Sequence, residues 1–203
     1  MLLKPFMREG VMPLPVTFIS TISRDGIRNI APWSCVMPVL RPLDLIAIAS
    51  AKKRDTLTNI RETGQFVLNL AGTNMVDKVV PTARHSPPHV DEFIEAGLEE
   101  KPSIMVKPPG IAGCYAWMEC ERIKEYEEEK FVLILGRVLR LEVDDSVLEP
   151  EGRIDVEKAM PLMMTGSRKG MHFCTLKDLA HHEPFGAMFP DRKDPLAALY
   201  RDA

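Results

Sequence analysis

Apolar and β-branched residues in this chain gather in short runs broken by proline, glycine and acidic turns, and no amphipathic helical stripe runs far. Pro15 to Ser23 (PVTFISTIS), Leu43 to Ala49 (LDLIAIA), Gln65 to Leu70 (QFVLNL), Cys114 to Ile123 and Phe131 to Val143 (FVLILGRVLRLEV) each have strand length and composition. Arg24-Asp25-Gly26 is a tight-turn signal, after which Ile27 to Ile30 returns as a second strand. Gly136, inside the longest run, predicts a bulge, and Glu125 to Glu129 predicts an exposed hairpin tip. Helical signals are brief. One helix opens near Thr56 and stops at Gly64, a turn covers Met75 to Val80, and Asp91 caps a short helix closed by Gly97. Asp155 to Met160 and a piece near Leu196 complete the set, while Pro81 to Val90 and Pro102 to Gly113 read as loops. About seven short strands without β-α-β alternation predict a mainly β fold, an antiparallel barrel or sandwich.

Composition narrows the class. The 203 residues argue for a single domain, with a core over about 13–175 and a C-terminal arm over 176–203. A formal net charge of -3 supplies no basic field for nucleic acid. No run approaches the ~20 apolar residues of a membrane helix, and the N-terminus lacks a signal-type apolar stretch, so cytoplasmic residence without membrane contact is the expectation. Four cysteines without a C-x-x-C pair argue for reduced thiols. Seventeen prolines imply interrupted edges rather than long helices.

Two stretches carry candidate chemistry. In Ser50 to Asn59 (SAKKRDTLTN) an apolar run gives way to Lys52, Lys53 and Arg54 and then to helix-opening Asp55 and Thr56. Such a strand-to-helix turn gathers free backbone N–H groups, hydroxyls and positive charge at one place, which suits an anion; the plainer reading is a solvated basic triplet. In Asn29 to Cys35 (NIAPWSC), Pro32 removes a ladder donor and predicts a strand end or bulge with backbone groups open to a ligand. Its plainer reading is a strand terminus with Trp33 in the core and Cys35 a structural thiol. Metal binding is unsupported, because Pro87 and Pro88 between His85 and His89 preclude a shared helical face. Neither common nucleotide loop occurs.

Read together, the Asp25-Gly26 turn, Asn29-x-Ala31-Pro32-x-Ser34, and Ser50 followed by Arg54-Asp55-Thr56-Leu57, Asn59-Ile60, Thr63-Gly64, Phe66-Val67 and Asn69 resemble the flavin reductase-like family of FMN-binding split barrels, which includes flavoredoxins. Asp91-Glu92-Phe93 with Gly97-Leu98, Glu119-Cys120 and Gly136-Arg137-Val138 extend the likeness. The resemblance implies a six-stranded antiparallel Greek-key split barrel with peripheral short helices, forming a homodimer with FMN near the interface. It implies that Asn29, Ile30, Ala31, Pro32, Trp33, Ser34 and Cys35 line the flavin ring, with Cys35 close enough to tune it. It also implies that the turn from Ser50 through Asp55 to Thr56 holds the phosphate, with the Ser50 and Thr56 hydroxyls, Lys52 or Lys53, and Arg54 as donors and Asn59 as a supporting contact. The activity implied is that of an oxidoreductase whose FMN takes hydride from NADH or NADPH. The alternative is a flavoredoxin-like carrier fed by a redox protein partner. Gly166 to Met171 lacks the tyrosine many members carry late in the chain, leaving Arg168 or Lys169 as possible phosphate contacts there.

Overall fold

The computed structural model describes residues 2, 4–150, 152–167 and 169–200. After a 3-10 segment at Pro5–Gly10 come β1 (Leu14–Pro15), β2 (Thr17–Ile22), β3 (Arg28–Trp33), β4 (Val36–Pro38) and β5 (Leu45–Ala51). Helix α1 (Asp55–Thr63) leads into β6 (Gln65–Leu70), then α2 (Val76–Ala83), α3 (Glu92–Ala96), β7 (Glu100–Lys101) and β8 (Gly110–Ile111). The long hairpin β9 (Ala116–Glu127) and β10 (Phe131–Val143) follows, then α4 (Val156–Ala159), β11 (Met163–Ser167) and β12 (Gly170–Cys174).

Seven strands form the main sheet in the order β3-β2-β6-β9-β10-β5-β4, every pairing antiparallel. Its two edges, β3 and β4, are joined by Ser34 and Cys35 alone. Two residues reach only about 10 Å, whereas the edges of a flat seven-stranded sheet stand roughly 29 Å apart. The sheet must therefore curl until its edges face each other, which is a barrel split between β3 and β4. The strand count exceeds the expected six because the short β4 adds itself along β5, pairing Val36 with Ile48.

Opposite faces of the sheet support two separate cores. Phe18 and Ile19 are consecutive and fully buried, so each serves a different cluster. Ile19, Ile46, Ile48, Phe66, Leu68, Val132 and Ile134 enclose Leu57 and Ile60 of α1. Phe18, Ile30 and Val67 pack on the other side against Val79 of α2 and Phe93 of α3. Each such fully buried side chain contributes about 1.5–3 kcal/mol. Burying β2 and β6 on both faces explains why their sequences show apolar runs rather than clean alternation.

Local expectations are mostly met, with informative shifts. β6 and β10 have the expected bounds, and the β9–β10 register slips at Gly136. A Cβ at Gly136 would meet Phe66 Cζ at 2.6 Å, so the bulge residue has no room for a side chain. β9 runs on to Glu127, which shortens the acidic tip to residues 128–130. β3 continues through Pro32 because it is an edge strand; the Ile30 N–H points away from β2, and by alternation the missing Pro32 N–H falls on that same unpaired side. α2 extends through Pro81 into the expected loop, since a proline in the last turn sacrifices one bond only. Asp91 caps α3 by accepting the Phe93 and Ile94 N–H groups, and Gly97 ends it at φ 58.

Beyond β12 the chain is largely irregular, with 3-10 turns at Phe185–Met188 and Ala197–Tyr200. Arg41 ties this arm to the body through Asp194 at 3.1 Å and the face of Phe185 at 3.6 Å. Among the described residues no helix is long and apolar enough to cross a membrane.

Candidate functional site

The split leaves the outer edge of β3 without a strand partner, and α1, α2 and α3 stand against it around a cavity of about 510 Å³. Asn29, Ile30, Ala31, Pro32 and Trp33 line one wall, and Lys53, Arg54, Asp55 and Thr56 another. Thr82, Arg84 and His85 from the end of α2 and Glu92 from α3 complete it. Nine of the fourteen residues implied by the resemblance thus meet in one place.

The turn between β5 and α1 leaves backbone donors open beside two cations. Arg54 is the extended N-cap residue, with φ -139 and ψ 136, and no side chain caps the first helical turn. Its N–H groups stay open, and the helix dipole makes that opening electropositive. Arg54 Nη1 lies 3.4 Å from His85 Nε2, so the cation is held over the cavity. Lys53 is exposed beside it.

The other implied residues are placed elsewhere. Ser50 is buried, and its hydroxyl donates to the Ala51 carbonyl at 2.9 Å. Lys52 turns away to Glu127, 3.0 Å distant. Asn59 donates to Thr21 Oγ1 at 3.0 Å beneath the cavity. The Ser34 hydroxyl faces Met164 Sδ at 3.2 Å. Cys35 is exposed and lines a different groove with Met12, Val36, Met37 and Leu133. Arg168 lies outside the described residues, and Lys169 is exposed on the β11–β12 hairpin, whose own groove with Phe6 and Met7 is distinct from the cavity.

A buried polar network underlies β3. Glu92, only 8% exposed, receives the Ile30 N–H at 2.7 Å and the Asn29 amide on the same oxygen, Oε2. Asn29 Oδ1 in turn accepts the hydroxyls of Thr56 at 2.9 Å and Thr21 at 3.2 Å. Burial pushes the Glu92 carboxyl up to about 7, with the Ile30 bond opposing and the charges of Asp55 and Glu95 reinforcing the rise. Arg28 braces the arrangement by bonding Asp91 and Glu100, each at 2.7 Å, beneath the Phe93 ring. The Trp33 indole Nε1 is buried and lacks a hydrogen-bond partner among the described residues.

Sequence reasoning assigned no role to Glu92, Thr82, Arg84 or His85. The Asp-capped helix containing Glu92 was legible, but its docking on β3, 62 residues earlier, leaves no local signal. The open Ile30 donor is a second difference. Glu92 already takes that N–H and Pro32 has none, so the outer edge from Ile30 to Pro32 offers a ligand carbonyl oxygens rather than donors.

The geometry meets the comparisons at this point. The flavin reductase like domain model matches residues 7–170, and the chain belongs to that family. An uncharacterized protein of Methanothermobacter thermautotrophicus is 62% identical over 205 residues, covering 98% of this chain and 97% of that protein. The solved flavoredoxin of Desulfovibrio vulgaris (Miyazaki F) superposes with a TM-score of 0.80 at 21% identity, covering 93% of this chain and 100% of its own. Nitrilotriacetate monooxygenase component B from Bacillus cereus gives 0.79 at 24% identity, covering 90% and 98% respectively. These likenesses establish a flavin reductase-like split-barrel fold.

Proposed function

We propose that the chain is an FMN-dependent oxidoreductase that accepts hydride from NADH or NADPH and passes the electrons on. One observation carries this reading: a single cavity joins the free edge of β3 to the uncapped N-terminus of α1 and to Lys53 and Arg54. That pairing suits a flat hydrogen-bonding ring attached to a phosphate. The volume lies within the ~300–1,000 Å³ usual for cofactor sites. Trp33, whose indole Nε1 is buried and unpartnered among the described residues, lines the same wall. The family membership supports the flavin.

FMN, when bound, supplies the hydride chemistry; the protein holds and orients it. The Asp55, Thr56 and Leu57 N–H groups with Arg54 and Lys53 hold the phosphate. Asn29 to Trp33 set the ring plane, stiffened from below by Glu92 and Thr56 through Asn29. We include in the reading a homodimer with FMN near its interface, supported by the apolar groove of Met12, Val36, Met37 and Leu133 beside the split. Sedimentation should give twice the chain mass of 22.8 kDa.

The test is spectroscopic. Purified protein should take up FMN, and NADH or NADPH added without oxygen should bleach absorbance near ~450 nm within the dead time of manual mixing. Failure to take up FMN would end the reading. Uptake without bleaching by either nucleotide would replace the reductase with a carrier fed by a redox protein.

A further inference from the structure

Among the described residues Glu92 is the one buried carboxylate that lines the cavity, and the proposed hydride transfer does not use it. We propose that Glu92 is the proton-holding group of this cavity: its carboxyl takes up one proton from solvent when FMN binds, and so couples flavin affinity to pH. This deepens the FMN reading and rests on it.

The geometry leaves one oxygen for the task. Oε2 is filled by Ile30 and Asn29, both donors, while Oε1 receives no protein donor among the described residues. Oε1 is not enclosed either, since the buried side-chain atoms lacking a partner include the Trp33 indole nitrogen but no Glu92 oxygen. A carboxyl so placed keeps its hold on β3 through Oε2 and carries the proton on Oε1, the oxygen left free of protein donors on a residue that lines the cavity.

The charges around it favour that proton. From α1, Asp55 faces Glu92 with like charge, and from its own helix Glu95 does the same. Arg28 of β3 is satisfied by Asp91 and Glu100, and makes no bond to Glu92. Lys53, Arg54, Arg84 and His85 line the cavity, and Asp25, Glu62 and His89 line the groove on the other side of Glu92. None of these cations forms an ion pair with Glu92 among the described residues. The flavin-free carboxyl already sits at about 7 through burial. FMN bound in the cavity would add two influences of one sign: it would exclude water from Glu92, and its phosphate would bring negative charge to the α1 terminus beside Asp55. Both disfavour the carboxylate, so occupancy raises its proton affinity.

The linkage has a definite sign. Where binding takes up a proton, affinity falls as pH rises through and above the flavin-free midpoint, by at most about tenfold per pH unit. The phosphate's own ionisation near ~6 acts equally on wild type and Glu92→Gln, and cancels between them.

Two measurements decide the matter. Carboxyl 13C NMR, with the Glu92 resonance assigned by its loss in Glu92→Gln, should titrate near 7 without flavin and at least half a unit higher with saturating FMN. FMN titrations from about pH 6.5 to 9 should show wild-type affinity falling several-fold more than that of Glu92→Gln. A midpoint in the ordinary carboxylate range, a midpoint unmoved by FMN, or parallel curves for the two proteins would overturn the proposal while tight FMN binding left the cofactor reading standing. No FMN binding at any pH would remove both. The NMR titration reads wild-type protein, so it decides even if Glu92→Gln folds poorly.

Discussion

The two walls of the cavity are made by opposite physical means. The α1 wall is exposed and contiguous: Lys53 and Arg54 stand in water, and the helix opening behind them comes from neighbouring residues. The β3–α3 wall is buried and assembled from afar, with Glu92, Asn29 and Thr21 bonded in one network that reaches across to the buried Thr56 of α1. Exposed charge binds ligand while adding little to folding, because solvent screens it. A buried polar network contributes to both, since any partner removed leaves others unsatisfied where water cannot reach. One wall can thus be altered without unfolding the protein. The other cannot.

Asn29→Ala should have the largest effect, because Asn29 bridges the walls. It removes one of the two donors to Glu92 Oε2 and leaves the Thr56 and Thr21 hydroxyls without their acceptor, and should cost about 3 kcal/mol in urea unfolding together with most FMN affinity. Unchanged stability would mean that the network adds nothing.

Arg54→Ala should separate the walls. FMN affinity should drop by about 1.5–3 kcal/mol in fluorescence titration, while stability stays within ~0.5 kcal/mol of wild type. Added salt should mimic the loss, since Arg54 is exposed.

The pH dependence of folding sharpens the contrast further. Glu92 has a raised carboxyl, so the folded state holds more protons than the unfolded chain between 4.5 and about 7. Its contribution is full below 4.5 and is lost as pH rises through about 7, leaving the native state roughly 1–3 kcal/mol weaker above it. Thermal unfolding of Glu92→Gln should lack this decline. Lys52→Ala should show the smallest effect, with FMN affinity within about twofold of wild type, because Lys52 serves Glu127, which Arg61 also pairs.

Sequence made the contiguous features legible and hid the assembled ones. The bounds of β6 and β10, the Gly136 bulge and the Asp91 cap all follow from local composition. The Ser50 to Asn59 turn was readable as a candidate anion site for the same reason, although which cation faces the cavity was not. Lys52, Lys53 and Arg54 are equivalent in sequence, and only the pairing of Lys52 across to the β9 end divides them. The hydroxyls of Ser50 and Thr56 looked like ligand donors, yet each is turned inward to an acceptor that folding supplies. Glu92 was visible only as the first residue of a capped helix. Its burial depends on α3 docking against β3, a contact that no local periodicity encodes.

We propose that the cavity holds a flavin by ring and phosphate together, the ring on β3 and the phosphate on α1. Parallel fluorescence titrations of wild-type protein with FMN and with riboflavin, which lacks the phosphate, test it most directly. The account predicts that both bind and that FMN binds more tightly by at least about tenfold, the contribution of one charge-assisted bond. Equal affinities would place the phosphate away from the α1 terminus, and binding of neither would contradict the claim outright.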